Sequence, residues 1–340
     1  MAVPVNTFVS PVAIGNREDL SDELSRIEPE KTPFYSNIGK ATAEATYTEW
    51  QLESLEDVDD DNAHAEGDDT AIQPSQNRVR VGNRTQIFKK SVSVSGTQQA
   101  VTTAGVADEY EHQKALKMIA LRRDKERAML SKRGSNKQGE DSVGTALPPV
   151  PLPSGGTGPV GRRMGGAQAW ITTNVDRGAG GANGGFVGSN VQAPVAGAPR
   201  PFTEGLLMNA LGSRFENSGE AAPMLSAYMS RALKDTFASF AGLSETRDKA
   251  TRSSKRVIYG SVDVYVGNFG TITAIPHAYG LDGDEVLIVD HAYWKKSDLR
   301  GAFTEPLANT GDTMRSQIIA ECTLKCLNEE SAALIADVTP

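Results

Sequence analysis

The sequence feature that most constrains the fold is one long segment with helical character. Residues 106–131 contain no glycine or proline and are rich in residues with high helix propensity. At 1.5 Å per residue, this segment predicts a single helix about 39 Å long. Its apolar residues are spread around the helix and do not form one stripe. We therefore expect this helix to contact neighbouring elements on more than one side.

Two strand-like segments on either side of an acidic segment predict a long hairpin. Residues 45–55 place Trp50 and Leu52 on the same face of a strand, and residues 79–95 contain a second strand pattern. Residues 56–69 between them contain eight acidic residues and no lysine or arginine. Because such a charged segment favours solvent, we expect the hairpin to project from the rest of the chain.

The chain opens with two short amphipathic segments. Helical spacing groups their apolar residues, Leu20, Leu24 and Ile27 in the first segment and Phe34 and Ile38 in the second. Thr32 and Pro33 predict the start of the second helix, and Gly39 is placed to end it in a left-handed conformation. Isolated helices this short are marginal in water. Each helix therefore needs a surface, supplied by the rest of this chain or by another copy of it.

The remaining segments mix helix and strand patterns. Residues 139–201 contain 15 of the 33 glycines and 8 of the 17 prolines, which predicts loops interrupted by a short strand within residues 167–175. Strand patterns follow at residues 256–276 and 285–290, and residues 316–338 predict another strand and a paired or helical tail. A helix is predicted from the spacing of Leu225, Met229, Leu233, Phe237 and Phe240. With no regular strand–helix–strand repeat, the class is α+β.

Composition narrows the class of protein. The 340 residues are 39% hydrophobic and 23% charged, typical of a soluble globular chain. No apolar run reaches the length of a membrane span, and the first residues lack a secretory signal pattern, so we expect a cytoplasm-like compartment and no membrane partner. The net charge of −8 argues against a protein whose main role is to neutralise phosphates.

Motifs that would indicate catalysis are absent from the sequence. The stretch at residues 155–163 has glycines at phosphate-loop spacing, but Arg162 and Arg163 occupy the positions of the required Lys and Ser/Thr. Cys322 and Cys326 share one face of a predicted strand with apolar residues, which indicates buried, inert thiols. The four histidines form no metal-ligand spacing. We therefore predict no enzyme activity, no cofactor and no catalytic residue.

The acidic segment offers one alternative, a calcium-dependent binding or adhesion module. Asp57, Asp59, Asp61 and Asp68 occupy positions 1, 3, 5 and 12 of a calcium-loop pattern. However, Asn62 replaces the required glycine, position 12 is Asp and not Glu, and a strand precedes the segment. These four aspartates are therefore weak metal-site candidates, and a solvated acidic loop is the favoured interpretation.

Several segments, in order, carry a resemblance to a known family. They are REDLSDELSRIEPEKTPFYSNIG, YTEWQLESL, VSVSGTQQAV, EYEHQKALKMIALRRDKERAML, WITTN, VDVYVGNFGTITAIP, LANTGD and ECTLKCLNEESAALI. Through them the sequence resembles the major capsid (major head) proteins of tailed bacteriophages, which have the Hong Kong 97-type fold. The resemblance spans nearly the whole chain and rests on the order of the segments. The Gly/Pro-rich stretch around 145–165 is longer than the family pattern.

The resemblance implies five parts. They are an N-terminal arm (1–44), an extended β-hairpin loop (45–100), a peripheral domain with a long spine helix (101–138), an axial domain with Gly/Pro-rich loops (139–300), and C-terminal strands that return to the peripheral domain (301–340). It implies that the arm lies along neighbouring subunits. The expected contacts between subunits are Leu20, Leu24, Ile27, Phe34, Ile38, Arg78, Arg80, Arg84, Lys89 and Lys90. Lys89 and Lys90 are expected on the projecting loop, without a covalent cross-link.

The resemblance also implies the function. The chain is expected to self-assemble as hexamers and pentamers into an icosahedral head that encloses double-stranded DNA without reading its sequence. Portal, scaffold and decoration proteins are the further partners implied. The protein would be made in the cytoplasm of the bacterial host and located in the virion.

Overall fold

The structure is a computed structural model of the chain. It describes residues 31–56, 58–64, 66–67, 77–103, 105–151, 157–219, 224–240, 264–309 and 311–340. Some sequence predictions lie outside the described residues, namely those for Leu20, Leu24, Ile27, Asp57 and Asp68.

The described residues form helices and strands in the following order. The helices are α1 (Pro33–Asn37), α2 (Gly96–Ala100), α3 (Glu109–Leu130), α4 (Ala167–Trp170), α5 (Glu204–Ser218) and α6 (Arg231–Ala238), with a 3-10 turn at His291–Tyr293. The strands are β1 (Gly39–Thr42), β2 (Tyr47–Leu52), β3 (Val79–Arg84), β4 (Gln86–Ser95), β5 (Val150–Pro151), β6 (Thr157–Gly158), β7 (Val175–Asp176), β8 (Gly185–Val187), β9 (Asn190–Gln192), β10 (Arg200–Pro201), β11 (Leu225–Met229), β12 (Val264–Gly267), β13 (Gly270–Pro276), β14 (Val286–Val289), β15 (Trp294–Pro306), β16 (Thr313–Cys326), β17 (Ala333–Ile335) and β18 (Val338–Thr339).

The predicted long helix is confirmed as α3, which packs on a four-stranded sheet. The side chain of Asp108 caps the helix by accepting the Glu111 N–H at 3.0 Å. The strand order is β1-β15-β16-β4, with β1 parallel to β15 and the other pairs antiparallel. Helix α3 contacts β4 and β16, and also α1, α2 and α4. These contacts explain why its apolar residues do not form a single stripe.

A second, six-stranded sheet has the order β12-β13-β11-β14-β17-β7. Alternate residues of its central strands enter two different cores. Leu225, Ala227 and Met229 of β11 face the core with α5 and α6, while Tyr228 between them faces the core that contains α3. Strand β14 divides its residues between the two cores in the same way. The sheet therefore lies between two apolar layers, and its central strands carry almost no polar residues.

Two secondary-structure predictions from the middle of the chain are wrong. Leu225 and Met229 belong to strand β11, and the predicted helix begins only at Arg231 as α6. Their spacing of four residues fits a helix, but a strand buried on both faces also places apolar residues at that spacing. The short strand predicted within residues 167–175 is mainly helix α4 and a loop.

Predictions nearer the C-terminus are confirmed where the structure describes them. The strand patterns correspond to β12, β13 and β14, and the tail forms β16, β17 and β18. Cys322 and Cys326 are buried free thiols on β16, as predicted. Among the described residues, no helix combines the length and apolar character that a membrane crossing requires.

Candidate assembly surface

The hairpin predicted around the acidic segment is confirmed at its base. Strands β2 and β3 pair antiparallel, with Trp50 opposite Val81. The indole Nε1–H of Trp50 donates to the carbonyl oxygen of Cys326 at 2.7 Å, and its ring packs against Trp170 with centroids 5.4 Å apart. Because β16 and α4 hold this one side chain, the base of the hairpin is fixed to the body of its own chain.

Asn83 of β3 adds a second anchor at the base. Its amide group donates to the carbonyl oxygens of Leu324 (2.8 Å) and Gly165 (3.1 Å) and accepts the Gly165 N–H at 2.8 Å. All of these contacts are buried, so losing one would leave polar groups without partners. No local sequence pattern marks Asn83, because its partners are more than 80 residues away in the chain.

Exposure rises steeply from the base to the distal part of the hairpin. Trp50 and Val81 are 7% and 6% exposed. Val79, two residues further from the base on the same strand, is 59% exposed. Beyond the strands, Leu55 and Val58 are 92% and 90% exposed. The acidic residues of the described distal segment, listed here, are all exposed: Glu56, Asp59, Asp60, Asp61 and Glu66. The distal hairpin therefore presents apolar and acidic groups together at the surface.

The three arginines predicted as contact candidates do not share one environment. Arg78 and Arg80 are exposed and pair across the hairpin with Glu53 (3.6 Å) and Glu49 (3.5 Å). Arg84 is buried, contrary to the expectation of a surface contact. Its guanidinium lies 4.7 Å from the centre of the Tyr47 ring, and its Nε–H donates to Asn190 at 2.9 Å. Contact with Asn190 of β9 explains this correction, because no local sequence pattern indicates that a distant strand covers Arg84.

Lys89 and Lys90 are not on the projecting loop, and that expectation is corrected. Both belong to β4, which pairs along its length with β16 in the four-stranded sheet. Lys90 forms an ion pair with Asp124 of α3 at 2.6 Å, while Lys89 is exposed. The chain returns to the body at Thr85, between β3 and β4, so the hairpin is shorter than the strand pattern at residues 79–95 indicated.

Phe34 and Ile38 are buried in the core of their own chain, which corrects the expectation that they contact a neighbour. Phe34 packs edge-on against Tyr228 and Trp294. The predicted helix exists as α1, but Gly39 does not end it in a left-handed conformation. Instead, α1 is followed by extended Ile38, and Gly39 begins β1.

Glu126 of α3 replaces the missing side-chain cap of α1. Its two carboxylate oxygens accept the Phe34 and Tyr35 N–H groups at 2.9 and 2.6 Å. His277 donates from Nε2 to the same carboxylate at 2.8 Å, since its Nδ1 accepts the Gly280 N–H at 2.7 Å. This buried carboxylate of α3 accepts three hydrogen bonds and thereby connects α3 to α1 and to the segment after β13.

Glu321 forms a second buried ionic centre, at the junction between the hairpin and the sheet. It accepts from Thr85 at 2.7 Å and from Arg300 at 3.0 and 2.9 Å, and it also pairs with Arg162. Burial opposes ionisation, but the hydrogen bonds from Thr85 and Arg300 and the charge of Arg162 hold the pKa of Glu321 below its ordinary value. Arg162, at the failed phosphate-loop pattern, is therefore a structural partner of β16.

The metal-site candidates receive no support. Asp59 and Asp61 are exposed, and an Asp59 oxygen accepts the Asp61 N–H at 3.0 Å, as in an ordinary turn. The described residues contain no cluster of three or more His, Cys, Asp or Glu side chains that could hold a metal ion. Burial raises the pKa of Cys322 to about 12, which keeps this thiol protonated at neutral pH.

The fold is that of phage capsid proteins of the Hong Kong 97 type. The cyanophage Pam1 capsid asymmetric unit matches with a TM-score of 0.57 at 9% identity, covering 98% of both chains. The capsid of the cyanophage P-SCSP1u matches with a TM-score of 0.55 at 12% identity, covering 98% of this chain and 99% of that one. At sequence identities of 9% and 12%, the structural similarity establishes the fold.

Sequence comparison identifies the family. The family described as SU10 major capsid protein matches residues 4–339, so this chain belongs to that family of phage capsid proteins. A major capsid protein of Escherichia phage Phieco32 is 35% identical over 127 residues. That match covers 36% of this chain and about a third of the relative, 35% of its length. The alternative of a calcium-dependent binding module finds no support in these comparisons.

Proposed function

We propose that this chain is the main building block of the head of a tailed bacteriophage. Copies assemble as hexamers and pentamers into an icosahedral shell that encloses the double-stranded DNA genome. The role is structural and involves no catalysis. The family match supports the capsid role, and the solved phage capsids that share this fold support association with further copies.

One observation carries this proposal beyond the family assignment. The distal hairpin exposes Leu55 and Val58 almost completely, while its base is anchored by buried contacts to β16 and α4. Exposed apolar side chains on a segment that is held in place at its base are typical of an interaction surface. Another copy of the chain is the partner that a shell provides.

Charge supports a shell that holds DNA weakly. The net charge of −8 does not favour tight, sequence-independent binding to phosphates. Weak attraction at the inner surface is compatible with both packaging and release of the genome. Portal, scaffold and decoration proteins complete the proposed set of partners. The five-part division of the chain is part of the same proposal, with the hairpin loop ending at Thr85 and β4 assigned to the four-stranded sheet.

Electron microscopy of the purified full-length chain tests this proposal. We expect shells, or rings of five and six subunits, at concentrations where a folded chain would otherwise remain dispersed. Monomers alone, over a range of concentration and salt and with co-expressed scaffold candidates, would contradict it.

A chain that lacks residues 1–30 is the informative variant, because the deletion leaves Phe34 and its buried contacts in place. It should fold and fail to close shells.

A further inference from the structure

A cavity of about 470 Å³ lies between strand β4 and the C-terminal part of helix α3, and we call it the β4–α3 cleft. Residues 131–133, which follow α3, complete its wall together with residues 163–168 and the loop that joins β13 to β14. The cleft is therefore built from parts of the chain that are distant in sequence and meet only in the folded subunit.

Cationic side chains outnumber acidic ones in this cleft, with five cations and two acids among its described lining residues. Both acids have partners. Asp124 pairs with Lys90 at 2.6 Å, and Asp282 pairs with Arg127 and, at 3.4 Å, with Lys132. Burial opposes ionisation of Asp282, but the charges of Arg127 and Lys132 lower its pKa below the ordinary value. Asp282 is therefore ionised at neutral pH and already engaged.

Two of the five cations are committed to the β13–β14 loop. Arg127 pairs with Asp282, and Lys132 pairs also with Asp284 at 3.7 Å and with Glu285 at 3.3 Å. The other three cations of the cleft are exposed and form no ion pair within the described part of the chain: Lys89, Arg133 and Arg163. These three charges remain available to a ligand.

The backbone that carries these three cations is held in place. Asn136 and Arg163 each donate their N–H to the carbonyl oxygen of the other, at 3.2 and 3.3 Å, and the Gly166 N–H donates to the Arg133 carbonyl oxygen at 3.0 Å. A Cβ at Gly166 would lie 2.1 Å from the Ser131 carbonyl oxygen, so glycine is required for this close approach. Strand β4, which carries the third cation, is fixed by its pairing with β16. A ligand would therefore meet cations on an ordered backbone, which lowers the entropy cost of binding.

The exposed groups of the cleft favour a phosphate over a protein partner. Phe88 and Met164 are buried, and Ile87 is the one large apolar lining side chain that is exposed. A protein partner would gain little apolar contact area here. Phosphate groups of nucleic acid need cations and little apolar area, and arginine can donate two parallel hydrogen bonds to phosphate oxygens. The ligand class that fits is a phosphodiester.

We propose that the β4–α3 cleft binds a backbone phosphate of the enclosed double-stranded DNA through Lys89, Arg133 and Arg163. This inference rests on the proposed function and assigns a DNA contact to it. Arg162, next to Arg163 in sequence, pairs with Glu321 and is not part of the contact. Because the chain as a whole carries a net charge of −8, the contact is weak and independent of base sequence.

Binding of a short, fluorescently labelled DNA duplex tests the contact on the full-length chain, kept below its assembly concentration. Wild type should bind in low salt with a Kd of about 10–100 µM, equally for two duplexes of different sequence. Arg133→Gln combined with Arg163→Gln should weaken binding at least about ten-fold and should reduce the slope of log K against log salt by about two. No binding by wild type, or equal binding by wild type and this cleft variant, would overturn the inference.

A matched control separates the cleft from net charge. Lys40→Gln combined with Arg231→Gln removes the same number of exposed charges. Lys40 lies on β1, at the opposite edge of the four-stranded sheet from β4, and Arg231 begins α6. This control should bind the duplex as tightly as wild type. A loss as large as that of the cleft variant would assign DNA binding to overall charge and overturn the inference.

Lys89→Gln keeps the test decisive if the double cleft variant folds poorly. Lys89 is exposed on β4, so its replacement should leave thermal unfolding of the subunit unchanged. The salt slope should fall by about one, the value for a single lost phosphate contact. An unchanged affinity and slope in this folded variant would overturn the assignment of Lys89.

Competition identifies the source of the anion. Inorganic phosphate at the concentration of the duplex should not displace it, because an isolated phosphate offers fewer contacts than a duplex. Displacement by that concentration of phosphate would define a small-anion site, and displacement by a peptide of residues 17–30 would define a site for an acidic polypeptide. Either result would overturn the inference.

The outcomes distinguish this inference from the proposed function. If wild-type chains form no shells or rings, the proposed function itself fails. If they form and the cleft variant binds DNA as wild type does, only this inference fails.

Discussion

The base and the distal part of the β2–β3 hairpin belong to one segment but have opposite environments. At the base, Trp50, Asn83 and Arg84 are buried and each has partners elsewhere in the chain. In the distal part, Leu55 and Val58 are exposed, and the ion pairs of Arg78 and Arg80 join only the two strands of the hairpin. The body of the subunit thus holds the base and leaves the distal part free to meet another molecule.

We therefore expect residues at the base to contribute to folding and residues in the distal part to contribute to assembly, although they are close in sequence. Buried contacts at the base contribute to the free energy of unfolding, whereas exposed pairs contribute little to it. In the proposed shell, another copy would cover the distal groups, and they would contribute to assembly. Substitutions on the two sides of this boundary should therefore change different measurable quantities, stability at the base and assembly in the distal part.

The largest expected effect is at Trp50. Trp50→Ala should lower the free energy of unfolding by about 3–5 kcal/mol, because it leaves a cavity next to Trp170 and an unpaired Cys326 carbonyl group. Leu55→Ala, the matched control in the distal part, should change it by less than about 0.5 kcal/mol. Denaturant unfolding of the free subunit measures both. Similar losses for the two variants would abolish the proposed distinction between base and distal part.

The next largest effect is expected at Glu321, where β16 meets the end of the hairpin. Glu321→Gln should cost about 2–3 kcal/mol at neutral pH, since the half-buried Arg162 loses its carboxylate partner. The folded-state pKa of Glu321 lies below 4.5, so its stabilisation is complete above that pH and is lost as the pH falls through the folded-state pKa.

The acid side of the stability profile tests this assignment. In wild type, the free energy of unfolding should fall as the pH drops below 4.5, and the fall should be smaller in Glu321→Gln. Unfolding curves recorded across this pH range, at constant ionic strength, give the comparison. If the free energy of unfolding falls equally with pH in the two proteins, another carboxylate controls the loss of stability in acid.

Arg84 provides a smaller test on the base side of the boundary. Arg84→Ala should destabilise the free subunit by about 1–2 kcal/mol, through loss of the contact with the Tyr47 ring and of the hydrogen bond to Asn190. Arg80→Ala, four residues earlier on the same strand, should have an effect within about 0.5 kcal/mol. Equal effects would mean that burial by β9 adds nothing to the role of Arg84.

Elements with local sequence patterns could be predicted from the sequence. Helix α3 follows from a long segment without glycine or proline, and the β2–β3 pair follows from strand patterns around an acidic segment. The order of short segments indicated the family. These features depend on neighbours in sequence, so spacing and composition were sufficient.

Features that depend on distant partners could not be predicted from spacing. Arg84 differs from Arg78 and Arg80 only because β9 covers it, and no local pattern reports that contact. Strand β11 was mistaken for a helix because residues on both of its faces are buried, which removes the alternation that identifies strands. The cavity lined by Tyr35, Arg122 and Ala302 likewise combines α1, α3 and β15, which are far apart in the chain.

The smallest effect on folding is expected from reversing the two exposed arginines, and it tests the distal side of the boundary. Arg78→Glu combined with Arg80→Glu removes two exposed ion pairs, each worth about 0–1 kcal/mol, so thermal unfolding of the free subunit should change little. Arg84 is left unchanged because its reversal would disturb the buried base.

Assembly of the double variant should nevertheless be blocked or misdirected, since every copy in a symmetric shell repeats the altered contact. A partial defect should depend on ionic strength, as screening at physiological salt acts over about 8 Å. Light scattering and electron microscopy at low and high salt measure the outcome. Normal shells under both conditions would assign Arg78 and Arg80 to the hairpin alone and restrict the assembly contact to the acidic segment and its apolar neighbours.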